Sequence, residues 1–267
     1  MKNLSFEIIG DILIIRDSAS ERAVLDFAEL KMNTYPYIKS VFLQTSKTEG
    51  QKRTRNLEFI LGKRNLETIH KEHGNIYRLN PSHTFFSPRL SFERQRIANL
   101  VKKGERIINF FSGVGPFSIA IATKQVECIT HSVEINEIAF KYLCQNILLN
   151  KCQDRVFPYC GDAFEIVPRI LKIKVNRVLL PLPLEADKSL PVACNALDGG
   201  NGHIHWQITE HLQSKIIPFN EIDKRIRTIF SDSDMEVNFH ISTTRIIRWI
   251  APRIAHIAID LNIIDSE

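Results

Sequence analysis

The stretch NFFSGVGPFSIA, Asn109 to Ala120, joins an apolar run to two glycines one residue apart, then to a second apolar run that suits a helix. A strand that hands over to a helix through such a loop can bring its backbone close to a ligand. Glycine has no Cβ and reaches positive φ, and the helix that follows offers free N–H groups. In an open α/β sheet the ligand sits beyond the carboxyl ends of the strands, in the crevice where strand order reverses. Arg106–Phe111 is then the first strand of such a sheet, with Ser112 to Pro116 as its loop. A pair of glycines alone is a common pattern, so its surroundings must decide what it means.

Downstream, "CITHSVE", "EIAFKYLCQNILLN", "RVFPYCGD" and "NRVLLPLP" continue an alternation of strand and helix. That rhythm predicts parallel strands with right-handed crossovers, a doubly wound sheet. "MEVNFHIS" and "RIAHIAIDLNI" read as two strands with no obvious helix between them, so an antiparallel pair closes one edge. Upstream, "SFERQRIANLVKKG" predicts a helix with Ser91 as N-cap and Gly104 as its stop. Residues 1–84 read as a small α+β module. In it we expect a hairpin around Gly10 and Asp11, a helix over residues 20–32, and strands in "IKSVFLQT", "LEFILG", "ETIHKEHG" and "NIYRLNP". Residues 85–267 form the expected ligand-binding domain.

Two carboxylates narrow the ligand. Glu134 ends the strand after the glycine loop, about 20 residues on, where an acid can accept hydrogen bonds from both ribose hydroxyls. Gly161-Asp162 follows the third strand, where a carboxylate can meet an adenine amino group. The loop has Ser118 where a dinucleotide fingerprint has its third glycine, and Pro116 stiffens the turn. No pyrophosphate needs cradling there. The combination favours S-adenosylmethionine over a nicotinamide cofactor, and the fold class is a Rossmann-like, class I methyltransferase domain.

The chain's 267 residues suit one main core plus a smaller module. Its 44% hydrophobic and 24% charged residues are those of a globular protein. No apolar run approaches the ~20 residues of a membrane span. Glu7, Gly10 and Asp11 interrupt the apolar start, unlike a signal peptide, so we expect a cytoplasmic protein. Five cysteines without a CxxC pair read as free thiols. His203 and His205 alternate as on one strand face, but a third metal ligand is missing from the pattern, so no metal is expected. The net charge of +5 permits an acidic partner without demanding one. Lys47, Lys52, Arg53, Arg55, Lys63 and Arg64 crowd into "SKTEGQKRTRNLEFILGKR", which taken alone reads as a solvated face.

From about Gln44 onward the sequence resembles the archaeal and eukaryotic Trm-five-type tRNA methyltransferases, which methylate N1 of guanine 37 beside the anticodon. The matching segments are "RTRNLEFILG", "ETIHKEHG", "FFSPRLSFERQRI", "FFSGVGPFSIA", "NILLN", "DGGNGHIHW" and "APRIAHIAIDL", in that order. A sister family transfers the aminocarboxypropyl arm of the same cofactor to a wyosine precursor. Arg89 and the "GVGPF" wording favour the methyltransferases.

The resemblance implies roles. Phe111, Gly113, Gly115, Glu134, Asp162 and Leu180 would bind S-adenosylmethionine. Arg89 would stabilise charge developing on guanine O6, being a permanent cation rather than a base. A carboxylate should take the N1 proton, and no particular Glu is assigned. Lys52, Arg53, Arg55 and Arg253 would contact the RNA of an anticodon stem-loop. Phe85, Phe86, Phe117 or Trp249 could stack on a flipped base, or simply belong to the core.

There are two departures from the family pattern. Pro181-Leu182-Pro183 stands where the family has Asn-Leu-Pro or Asn-Pro-Pro, so Pro181 and Pro183 would meet the base without the Asn side chain. The chain also starts at the middle module, without the domain that many relatives use to check the tRNA elbow, so looser tRNA recognition is expected. We expect a monomer acting on tRNA. Two alternatives stay open: chemistry on a wyosine precursor, and a non-catalytic tRNA-binding module.

Overall fold

The computed structural model describes residues 4–16, 19–46, 48, 50, 52–170 and 174–264. Strand β1 (Phe6–Ile9) turns through Gly10, at φ 58°, into β2 (Ile12–Ile15). Helix α1 (Glu21–Thr34) starts where the Ser20 side chain accepts from the Ala23 N–H, and Val24, Phe27 and Ala28 form its buried stripe. It crosses over to β3 (Ser40–Gln44), parallel to β2, and β4 (Leu57–Gly62) completes a sheet of order β1-β2-β3-β4. A two-stranded hairpin follows, β5 (Thr68–Glu72) and β6 (Asn75–Leu79), turning at His73 and Gly74.

A 3-10 turn, Pro88–Leu90, feeds directly into α2 (Ser91–Leu100). Leu90 occupies the N-cap, not Ser91, because the turn already supplies the residues before the helix. The Ser91 hydroxyl instead meets His73 Nε2 at 2.7 Å.

The expected alternation then unfolds as β7 (Arg106–Asn109), α3 (Pro116–Lys124), β8 (Ile129–Glu134), α4 (Glu137–Leu149), β9 (Val156–Cys160), α5 (Ala163–Ile170), β10 (Arg177–Leu180) and α6 (Ala186–Ala196). It continues through β11 (Gly202–His211), α7 (Phe219–Ser231), β12 (Asn238–Ala251) and β13 (Ile254–Ile264). The seven strands lie in the order β12-β13-β11-β10-β7-β8-β9. The chain moves outward from β7 to β9, then returns to the other side of β7 at β10. The β7/β10 junction is therefore the switch point that opens a crevice.

The antiparallel edge expected at the C-terminus is present, with one addition. The last strand, β13, inserts between β11 and β12 and pairs antiparallel with both. Its alternate residues Ala255, Ile257, Ile259 and Leu261 enter the core beneath α6 and α7, while His256 and Asp260 point to the opposite face. The other side of the central sheet is covered by α2 and α3 through Ile97, Ile107, Phe117, Ile121 and Leu179.

Paired amides tie the β5–β6 hairpin to the larger sheet. Asn146 of α4 accepts from Arg78 N (2.7 Å) and donates to Arg78 O (3.0 Å). Asn150 does the same at Ile76, at 2.8 and 2.7 Å. On its other side, Thr68 bonds Asp11 of the first hairpin. The β5–β6 hairpin thus bridges the N-terminal sheet and the larger sheet.

Candidate active site

The crevice is built from the end of β7 upward. The Asn109 side chain donates to Ser118 Oγ at 3.1 Å, and Ser132 Oγ donates to the same oxygen at 2.7 Å. This buried triad locks the start of α3 to β7 and β8 and so fixes the intervening loop. Gly113 (φ 55°) and Gly115 (φ 92°) both need the left-handed region, but for different reasons. A Cβ on Gly113 would meet only Phe85 O, at 3.6 Å, and this glycine faces the cleft. A Cβ on Gly115 would stand 2.6 Å from Leu143 Cδ1, so this glycine serves the packing of α3 on α4 and lies off the cleft.

Glu134 ends β8 at 8% exposure. Its Oε2 accepts from Gly113 N at 2.6 Å and its Oε1 from Asn136 N at 2.8 Å. Burial pushes its carboxyl above the usual range, against the lowering effect of those two N–H groups. Each oxygen keeps a lone pair for a ligand hydroxyl. Asp162 ends the next strand-loop, its Oδ1 held by Phe164 N at 2.9 Å. Both acids line one cleft, together with Phe110, Phe111, Phe117 and Pro181. Acids at neighbouring strand ends flanking a Cβ-free backbone fit the ribose and adenine of a nucleoside cofactor.

The other expected residues divide. Lys52 and Arg53 reach the cleft mouth, where the Arg53 guanidinium lies over the Phe85 ring at 3.9 Å. Burial, then the nearby Arg248, push Arg53 down to about 10. Arg55, expected at the RNA, is turned inward at 8% exposure. Its Nη1 donates to Glu7 at 2.6 Å and its Nε to Pro81 O at 2.9 Å. Lys63 and Arg64 are exposed away from the cleft lining, and Lys47 lies outside the described residues. Arg89 is exposed on the 3-10 turn and does not line the cleft. Leu180 is fully buried in the core, so only the chain beyond it, Pro181 and Leu182, lines the cleft. Pro183 opens a 3-10 turn off the cleft wall. Arg253 stands exposed at the β12–β13 turn with φ 61°. Phe85, Phe86 and Phe117 line the cleft, and Trp249 stands apart on β12.

His203 and His205 bond to β13. His203 Nδ1 is 2.8 Å from Asn262 Oδ1. Arg177 Nη1 lies 2.6 Å from His205 Nε2, so that nitrogen accepts and Nδ1–H donates to Asp260 at 2.6 Å. Burial lowers the His205 pKa, in keeping with this neutral tautomer. Among the described residues no group of three His, Cys, Asp or Glu is arranged to hold a metal, and no helix is long and apolar enough to cross a membrane.

Sequence reasoning missed two contributors. Asn136 donates from Nδ2 to Lys52 O (3.0 Å) and His83 O (2.8 Å), stitching the N-terminal segment to the cleft rim. Its position two residues after Glu134, opening a helix, was the available signal. Glu185 also lines the cleft, as an acid shortly after the fourth strand.

The sequence matches the family model of the TRM5/TYW2 methyltransferase domain over residues 68–238. It is 35% identical to the tRNA (guanine(37)-N(1))-methyltransferase Trm5b of Pyrococcus abyssi, over 97% of this chain and 74% of that protein. It is 37% identical to the tRNA 4-demethylwyosine(37)-methyltransferase Taw21 of Saccharolobus solfataricus, over 76% of this chain and 77% of that one. The crystal structure of P. abyssi Trm5b superposes with a TM-score of 0.81 at 34% identity, covering 97% of this chain and 74% of that chain. The complex of aTrm5 with tRNALeu superposes with a TM-score of 0.84 at 30% identity, covering 98% of this chain and 72% of that chain. A glycine loop, two strand-end acids and the strand order around them thus meet a sequence match that runs through all three, and the chain belongs to the TRM5/TYW2 methyltransferase family.

Proposed function

We propose that this protein transfers the methyl group of S-adenosylmethionine to N1 of guanine 37 in tRNA. The observation that carries the reading is the pairing of Glu134 with the Gly113 N–H at 2.6 Å inside a cleft that Asp162 also lines. In this reading Glu134 takes the ribose hydroxyls, Asp162 the adenine amino group, and Gly113 leaves room for the methionine end. When bound, S-adenosylmethionine supplies an electrophilic methyl group. The chain's own part is to hold the guanine and favour loss of its N1 proton. Loss of that proton builds negative charge on O6, which a fixed cation stabilises without reorganising. Arg53, held over the Phe85 ring at the cleft wall, is better situated for this than Arg89, which stands outside the lining.

One observation favours a second reading. Pro181 at the cleft wall lacks the side-chain amide expected to grip guanine, and the similarity to Taw21 is as high as that to Trm5b. Methylation of a 4-demethylwyosine base at the same position is therefore the alternative. Cofactor labelled separately in its methyl and carboxyl carbons distinguishes the possibilities. Methyl label on a G37 transcript, absent from its A37 counterpart, supports the first reading. Methyl label only on precursor-bearing tRNA supports the second, and carboxyl label on either RNA would sink both in favour of aminocarboxypropyl transfer.

A further inference from the structure

Behind Arg53 lies a group of cations for which the protein supplies too few acceptors. His256 of β13 is 3% exposed, yet neither ring nitrogen has a hydrogen-bond partner among the described residues. Arg248 is its direct cross-strand neighbour on β12. The Nε atoms of Arg16, Arg53 and Arg248 are likewise buried and without partners among the described residues. Among the described residues Arg248 makes a hydrogen bond from Nη1 to Ser87 Oγ at 3.3 Å.

The charges repel one another. Arg53 feels the charge of Arg248, and Arg248 that of Arg16 and Arg89. Glu7 is the carboxylate within reach of Arg248, but Arg16 and Arg55 already share it. Among the described residues Arg53, Arg89 and Arg248 form no ion pair. Burial together with Arg248 and Arg53 holds His256 neutral, at about 3. Partly desolvated cations without a counter-charge are costly, and buried polar atoms in native proteins almost always find partners. An incoming anion would supply what is missing.

We infer that Arg248 and Arg89, backed by His256, receive a backbone phosphate flanking the nucleotide whose base enters the cleft. Arg53 links the two places, since it lines the cleft and lies close enough to Arg248 and His256 for their charges to be felt. A guanidinium pair matches the oxygens of a phosphodiester in fork geometry. The site would grip the backbone on one side while the base is turned out of its stack, a step that needs the flanking sugar-phosphate held. This inference rests on the reading of an RNA substrate.

The test uses the full chain and an anticodon stem-loop carrying a neutral methylphosphonate at the phosphate either 5′ or 3′ of residue 37. Wild-type protein should lose on the order of tenfold in affinity at one of the two positions, the value of one charge-assisted contact. R248Q should lose a similar factor with unmodified RNA, reduce the salt slope by about one, and show no further loss with the methylphosphonate. R248K should recover part of the affinity, and H256L should fold yet bind the unmodified loop more weakly. Equal wild-type affinity for all three RNAs overturns the inference, whatever the variants do. So does R248Q weakening S-adenosylmethionine rather than RNA, which would make the cluster a seat for the cofactor's carboxylate. Coupling between Arg248 and one phosphate without methyl transfer to that RNA would sink the functional reading and leave the phosphate site standing.

Discussion

Replacing Glu134 by Gln tests the cofactor site at one atom pair. The carboxylate accepts two backbone N–H groups, Gly113 N on Oε2 and Asn136 N on Oε1, at 2.6 and 2.8 Å. A glutamine can accept on its oxygen alone, so its NH₂ must face one of those two donors. That leaves a buried N–H unsatisfied, at a cost of about 1–3 kcal/mol in the free protein. On the ligand side, the ribose loses one hydrogen bond to a charged acceptor, worth about 1.5–3 kcal/mol, or roughly 10- to 150-fold in Kd. Calorimetric titration with S-adenosylmethionine and S-adenosylhomocysteine should show this weakening for both, together with a lower Tm. A cofactor analogue lacking one ribose hydroxyl supplies the control. Wild type should lose affinity for it, whereas E134Q should lose little more. Equal losses in the two proteins would refute a contact between Glu134 and the ribose. The wild-type site also carries a pH signature. Because the Glu134 pKa lies above its ordinary value, the carboxylate protonates early on acidification. Cofactor affinity should fall as pH drops through that raised pKa, while this group's effect on apo stability runs the other way, favouring the folded state as pH falls.

Three further outcomes follow from the geometry. Gly115→Ala combines φ 92° with a 2.6 Å clash against Leu143, so it should cost about 2–4 kcal/mol by chemical denaturation; Gly113→Ala, whose Cβ would make only an ordinary 3.6 Å contact with Phe85 O at φ 55°, should cost about 1 kcal/mol yet weaken cofactor binding. A wild-type Tm for G115A would contradict the packing role. Arg55→Met should destabilise the protein by roughly 2–4 kcal/mol through loss of its buried pair with Glu7, whereas Arg53→Met should leave Tm nearly unchanged and impair RNA turnover; the reverse order would overturn the assignment of these two arginines. Glu72, paired with Arg94 and His70, titrates at about 2. A depressed carboxylate pKa gives stability above the unfolded value that is lost as pH falls toward the folded one, so wild type should lose roughly 3 kcal/mol between about pH 4.5 and pH 2 from this group. E72Q should unfold more readily at neutral pH and show a shallower acid dependence.

The strand–helix rhythm from Arg106 to Leu180 was legible because local periodicity and turn chemistry both act over short range. Glu134 and Asp162 were legible for a related reason: the carboxyl end of a parallel strand faces the crevice in any doubly wound sheet. The insertion of β13 between β11 and β12 was not, since strand order at an edge depends on pairing between segments far apart in the chain. Glycine spacing likewise suggested that Gly113 and Gly115 share a task. Only the position of Leu143, on another helix, separates the one that faces the cleft from the one that seats α3.

By itself the sequence determined the fold class, the glycine loop and the two strand-end acids that line the cleft, and the family. These depend on residue type at fixed offsets along one chain. Tertiary structure decided which cations reach the cleft. Arg53 and Arg55 are two residues apart and would share a face in a regular strand, but Arg53 sits at φ 52° and breaks the alternation. One guanidinium therefore stacks at the cleft mouth while the other is buried against Glu7. Arg248 and His256 become neighbours through the β12–β13 register, which is shifted by bulges on both sides of Arg248. An electrostatic site of this kind is a property of converging segments, because Coulomb energy depends on distance in space and on burial, and neither is written in the spacing of residues along the chain.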